Sequence, residues 1–245
     1  MAQDGIYAAE AQVGSVLMIG QSNMAGRGDL GQVKPIHNPL CYMLRMGRWQ
    51  PMCEPVNPDR AIFEGIFRSG VSLAASFADE YARKFQAPVG LIPCADGGTT
   101  LSQWMPGQIL YDHAVAMTKL ALRTSELKAI LWHQGESDCL SDDTVRSYEA
   151  NFLQMITQLR KDLGAERVPL ILGQLPQKLG PSTKWNTQGR EQELNRILDG
   201  IPGKLPSCAI ASSRDLTMKP DGLHFDSSAC REFGKRYFAK YLELI

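Results

Sequence analysis

Five apolar runs, each too short for a buried helix and too continuous for a half-exposed strand, constrain this chain more than any other feature. They are Val16-Leu17-Met18-Ile19-Gly20, Val89 to Cys94, Leu127 to His133, Val168 to Leu175 and, more weakly, Cys208 to Asp215. Hydrophobicity that does not alternate indicates strands covered on both faces, as in a parallel sheet. Between these runs the period changes to 3.6. Leu73, Phe77, Tyr81 and Phe85 form one stripe, and Leu110, Ala114, Met117 and Ala121 another. Val145, Tyr148, Phe152, Met155, Leu159 and Leu163 form the clearest, in a helix predicted to stop at Gly164. Phe233, Tyr237 and Tyr241 give a last helix its inner face. Strands alternating with helices over short links predict a doubly wound α/β sheet, with ligands bound beyond the carboxyl ends of its strands.

Residues 31–70 interrupt the alternation. They are rich in proline and predict a small hairpin, Cys41–Arg45 against Arg48–Gln50, turning at Met46-Gly47. Inserted straight after the first strand, this stretch is expected at the carboxyl-end rim, where it can wall a pocket. No internal repeat or domain-sized linker is visible. A chain of 245 residues can bury roughly 70–75% of its unfolded surface in one core, so residues 1–245 are read as one domain.

Charge excludes some partners. With 26 basic and 26 acidic residues, the chain lacks the positive excess that nucleic acid or an anionic membrane attracts. No apolar run approaches the roughly 20 residues that span a bilayer. The first dozen residues hold neither a basic n-region nor an apolar h-region, which favours a cytoplasmic location unless a signal has been removed. The six cysteines, at positions 41, 53, 94, 139, 208 and 230, form no C-x-x-C pair. They are read as buried thiols, with a Cys41–Cys53 bridge across the hairpin as the alternative. The composition does not fix an oligomeric state.

Four places carry candidate chemistry. The first strand exits into Gly20-Gln21-Ser22-Asn23-Met24-Ala25-Gly26-Arg27-Gly28. A serine there can project its hydroxyl above the sheet, and a helix opening after it would favour negative charge on a bound oxygen. The same position also suits a plain helix cap. The spacing is neither a G-x-S-x-G elbow nor a phosphate-binding loop. Near the other end, Asp221-Gly222-Leu223-His224 places a carboxylate where it can reach one ring nitrogen of an imidazole that accepts a serine proton. The third strand ends in His133-Gln134-Gly135-Glu136-Ser137-Asp138, where the Gln134 amide can donate to a developing oxyanion. Glu136 and Asp138 are either turn carboxylates or partners of an active-site group. Asp96-Gly97-Gly98-Thr99 follows the second strand, and its glycines allow backbone N–H groups to approach a ligand. His133, Glu136, Asp138 and His224 lack metal-ligand spacing, so no metal and no cofactor is expected.

With these residues in place, the sequence resembles the SGNH (GDSL-like) hydrolases, in the carbohydrate esterase family 6 and sialate O-acetylesterase-like branch. The resemblance rests on VLMIGQSNMAGRG, VGLIPCADGGTTLSQW, LKAILWHQGESD and DGLHF, in order from residue 16 to residue 225. It implies a flavodoxin-like, three-layer αβα fold with a five-stranded parallel sheet. It also implies removal of O-acetyl groups from a carbohydrate through an acetyl-enzyme. By the same resemblance, Ser22 is the nucleophile, His224 the base and Asp221 its orienting acid, with Glu136 the alternative acid. Ser22 N–H, Gly98 N–H and the Gln134 side chain would form the oxyanion hole. Arg68 stands in a stretch where relatives are richer in glycine and proline, which makes it a candidate substrate contact. Trp104 is a second such candidate. The competing expectation is a non-catalytic carbohydrate-binding protein that stacks sugars on Trp104 and Trp49.

Overall fold

The first strand supplies both faces of the core from one run of residues. The computed structural model describes residues 13–58, 68–180 and 186–245. Within it, β1 (Val13–Gly20) sends Val16 and Met18 into one apolar cluster and Leu17 and Ile19 into the other. The remaining strands are β2 (Cys41–Arg45), β3 (Arg48–Pro51), β4 (Val89–Pro93), β5 (Ser125–His133), β6 (Leu170–Gly173) and β7 (Cys208–Ala211). They form one sheet in the order β3-β2-β4-β1-β5-β6-β7. Every pairing is parallel except β2 with β3.

Among the described residues six α-helices accompany the sheet: α1 (Ser22–Ala25), α2 (Leu73–Phe85), α3 (Ile109–Ala121), α4 (Asp142–Leu163), α5 (Arg190–Gly200) and α6 (Ser227–Leu242). α2 and α6 cover one face, through Phe77, Tyr81, Phe233 and Tyr237. α3, α4 and α5 cover the other, through Leu110, Tyr148, Phe152 and Leu194. The result is the expected three-layer α/β arrangement. Short polar side chains start the longer helices: Ser72, Ser141 and Asp226 each accept a backbone N–H from the first turn. α4 stops at Gly164, which takes the left-handed conformation at φ 60°, ψ 36°.

The five expected strands are all present, but the expected five-stranded sheet is corrected to seven. The hairpin expected at the rim is part of the sheet, because Cys41, Tyr42 and Met43 pair with Val89, Gly90 and Leu91. Its Trp49 ring lies across Gly90, where a Cβ would come within 2.4 Å of it. Beyond the hairpin the insertion reaches the rim, where Asn57 Nδ2 donates 3.0 Å to Ala95 O. All six cysteines are free thiols, with Cys53 exposed and the others buried. No helix among the described residues is long and apolar enough to cross a membrane.

If the hairpin is set aside, the order β4-β1-β5-β6-β7 puts the first strand between the second and third to be laid down. The chain leaves β1 for one side and later crosses to the other, which opens a crevice at the carboxyl end of β1. The site lies there.

Candidate active site

β1 ends on Gly20, whose φ of 132° is barred to most side chains. A Cβ there would sit 2.1 Å from the His133 carbonyl oxygen, so β1 and β5 can approach only at a glycine. Gln21 follows, fully buried, and its N–H donates to His133 O at 2.9 Å. Ser22 therefore emerges at a fixed height on the first residue of α1. A helix start leaves its leading N–H groups without partners inside the helix.

The Ser22 hydroxyl meets the imidazole of His224, with Oγ 3.0 Å from Nε2. On the other side of the ring, Nδ1 lies 2.8 Å from Asp221 Oδ2. Asp221 Oδ1 also accepts the backbone N–H groups of Leu223 and His224, at 2.9 and 3.0 Å, which locks the short turn that joins acid and base. Burial raises the Asp221 carboxyl, but the hydrogen bonds from His224 and Leu223 outweigh it and hold it below the usual carboxylate value. For His224, burial is the largest influence and lowers its pKa below the ordinary histidine value. Asp221 opposes that lowering and Arg27 adds to it. A neutral imidazole held in one tautomer by a carboxylate, with its free nitrogen on a serine hydroxyl, can take up the hydroxyl proton.

The glycine loop after β4 is docked against the serine. Asp96 N–H donates to Gly20 O at 3.0 Å. A Cβ on Gly97 would lie 3.6 Å from Ser22 Cβ and 2.3 Å from Arg27 Nη2. Gly98 is exposed and takes φ 74° with open space around it, so its conformation, not crowding, calls for glycine.

Gln134 departs from expectation. It is fully buried, and its Nε2 donates to Thr99 O at 3.0 Å and to Asp138 Oδ2 at 2.5 Å. Its Oε1 accepts from Tyr148 at 3.0 Å. Both amide hydrogens have acceptors within the protein, so Gln134 ties the glycine loop to β5 instead of pointing a donor at a substrate. Asp138 completes the tie by accepting Leu101 N–H at 3.0 Å. Burial pushes the Asp138 carboxyl up to about 6, against the bonds from Gln134 and Leu101.

Glu136 is also fully buried. Its Oε1 lies 2.5 Å from Asn23 Nδ2 and 3.3 Å from His133 Nε2, and no hydrogen bond joins it to His224. Trp104 is 1% exposed. It donates to Thr99 Oγ1 at 3.1 Å and packs edge-on against Trp132, so it is core and no sugar platform. Trp49 is half-buried and packs its ring across Gly90 at the sheet edge. Arg68 is exposed and directly follows residues that lie outside the described ones. Among the described residues, no group of three or more His, Cys, Asp or Glu side chains is arranged to hold a metal ion.

Gln21, Asn23, Thr99 and Tyr148 join the site without a role that the sequence alone marks. Three of them flank the candidates Ser22 and Gly98, and that adjacency is the available signal. Tyr148 had none beyond its helical stripe.

Known proteins resemble this chain along almost all of its length. Residues 13–243 match the family described as carbohydrate esterase, sialic acid-specific acetylesterase. A probable carbohydrate esterase of Arabidopsis thaliana is 32% identical over 247 residues, covering 92% of this chain and 89% of its own. The X-ray structure of that plant protein has a TM-score of 0.82 at 27% identity, covering 95% of this chain and 98% of its own. NanS shares the fold with a TM-score of 0.74 at 17% identity, covering 95% of this chain and 97% of its own. The chain belongs to the sialic acid-specific acetylesterase family of carbohydrate esterases, and it is a carboxylic ester hydrolase.

Proposed function

We propose that this esterase removes O-acetyl groups from a carbohydrate by a serine mechanism, with Ser22, His224 and Asp221 as its triad. The observation that carries this reading is the unbroken run of hydrogen bonds from Ser22 Oγ through both nitrogens of His224 to Asp221. In the first half-reaction Ser22 Oγ attacks the acetyl carbonyl carbon while His224 Nε2 takes its proton. The carbonyl oxygen becomes an oxyanion, for which the N–H groups of Ser22 and Gly98 are the donors we assign. One such donor is typically worth about 100- to 1000-fold in rate. The imidazolium then protonates the departing sugar oxygen. Water, deprotonated by the same nitrogen, frees acetate and restores the serine. Asp221 stays ionised throughout and stabilises the imidazolium.

Ser22→Ala is expected to lower p-nitrophenyl acetate turnover by at least about 1000-fold, because it removes the attacking atom. A serine-directed phosphonate should label the parent protein once, at Ser22. Nucleophile, base and acid are all side chains of this chain, so a chelator should leave turnover unchanged. Chelator-sensitive turnover, or full activity in Ser22→Ala, would overturn the triad. A panel of acetylated sugars, including O-acetylated sialic acid and acetylxylan, identifies the carbohydrate by kcat/KM.

A further inference from the structure

Asn23, next to Ser22 and 1% exposed, makes three bonds, two of them to the histidine loop. Its Nδ2 donates to Leu223 O at 3.2 Å, and its Oδ1 accepts Phe225 N–H at 3.1 Å. Leu223 and Phe225 flank His224, so one side chain grips the main chain on both sides of the imidazole-bearing residue. The other Nδ2 hydrogen goes to Glu136 Oε1 at 2.5 Å. Glu136 sits on the turn that leaves β5, a separate element from both the serine turn and the histidine loop.

An asparagine amide can turn end for end with little change of shape, and its surroundings decide which end is oxygen. An ionised carboxylate only accepts. Turned over, Asn23 would set its oxygen against the Glu136 carboxylate and its NH2 group against Phe225 N–H. Burial raises the Glu136 carboxyl, but hydrogen bonds from His133 and Asn23 and from its own backbone outweigh that and hold it below the ordinary value. It therefore stays an acceptor.

We infer that Glu136 is a positioning residue that selects the orientation of Asn23 and thereby sets the main chain that carries His224. This inference rests on the proposed Ser22–His224 reaction, because it concerns how that pair is held in reach. It gives Glu136 a part in the site without making it the triad acid, a place that Asp221 occupies at Nδ1.

The test compares Glu136→Ala, Glu136→Gln, Asn23→Ala and the Glu136→Ala/Asn23→Ala double variant with the parent and with Asp221→Asn. Glu136→Ala should lower kcat on the order of 100-fold with little change in KM, the cost of a misplaced base. Glu136→Gln keeps an acceptor for Asn23 and should lose far less than Asp221→Asn. The double variant should lose no more than the worse single one, since both act along one path. The downfield proton resonance of the His224 Nδ1–H to Asp221 bond should persist in Glu136→Gln and weaken in Glu136→Ala and Asn23→Ala.

Glu136→Gln as damaged as Asp221→Asn, or single losses that multiply in the double variant, would overturn the inference. If Glu136→Ala does not fold, Glu136→Gln and Asn23→Ala decide the matter. A parent protein without acetyl-ester turnover would instead sink the proposed reaction, while the His224 resonance would still report on the clamp.

Discussion

His224 is pulled two ways, and the balance sets the pH at which the proposed base is neutral. Burial favours the neutral ring, and the Asp221 carboxylate favours the charged one. Burial prevails, so the pKa lies below the ordinary value and the neutral base is already present at pH 7. Protonation removes the base, so kcat/KM should fall as pH drops through that lowered pKa and stay level from there to pH 8. Asp221→Asn removes the raising influence, so the acid limb should move to still lower pH. The maximal rate should fall by roughly 1000- to 10,000-fold through loss of tautomer control. A pH–rate profile of both proteins checks the sign. An acid limb that moves upward in Asp221→Asn would show that this carboxylate does not face the working imidazole.

Elements position these residues through close main-chain approaches more than through their own propensities. β1 and β5 meet where Gly20 passes the His133 carbonyl, and the serine turn begins at that contact. Gly20→Ala forces a positive φ on a residue with a Cβ and sets that Cβ 2.1 Å from backbone oxygen, which no rotamer change relieves. The expected cost is about 3 kcal/mol or more, from strain together with overpacking. Thermal or urea melts would show it, and ester turnover should fall with the displaced Ser22. A melt unchanged from the parent would mean that the strands can part cheaply there.

Across the whole molecule, two apolar layers hold the sheet, and the hairpin closes one edge of it. Trp49 packs over Gly90 on that edge, far from the triad in function although an aromatic on an esterase invites a sugar-binding reading. Trp49→Ala should destabilise by about 2–4 kcal/mol, somewhat less than a fully buried aromatic truncation because the ring is only partly buried. KM for an acetylated sugar should stay as in the parent. A rise in KM without a change in stability would restore the stacking role.

The sequence by itself determined the five central strands and the helical stripes, and it offered Ser22, His224 and Asp221 as candidates, with Glu136 as the alternative acid. Those features are local: continuous hydrophobicity, period, a capping residue, or a carboxylate three residues from an imidazole. The tertiary structure alone decided that the hairpin joins the sheet, because strand partners are chosen by main-chain hydrogen bonds between segments far apart in the chain. It also decided the separate duties of the polar side chains. Asn23 and Glu136 meet across 113 residues, and Ser22 and His224 across 202. Gln134 and Trp104 look like substrate contacts in one dimension. Burial turned both inward, because a buried amide or indole N–H must find its partner inside the protein.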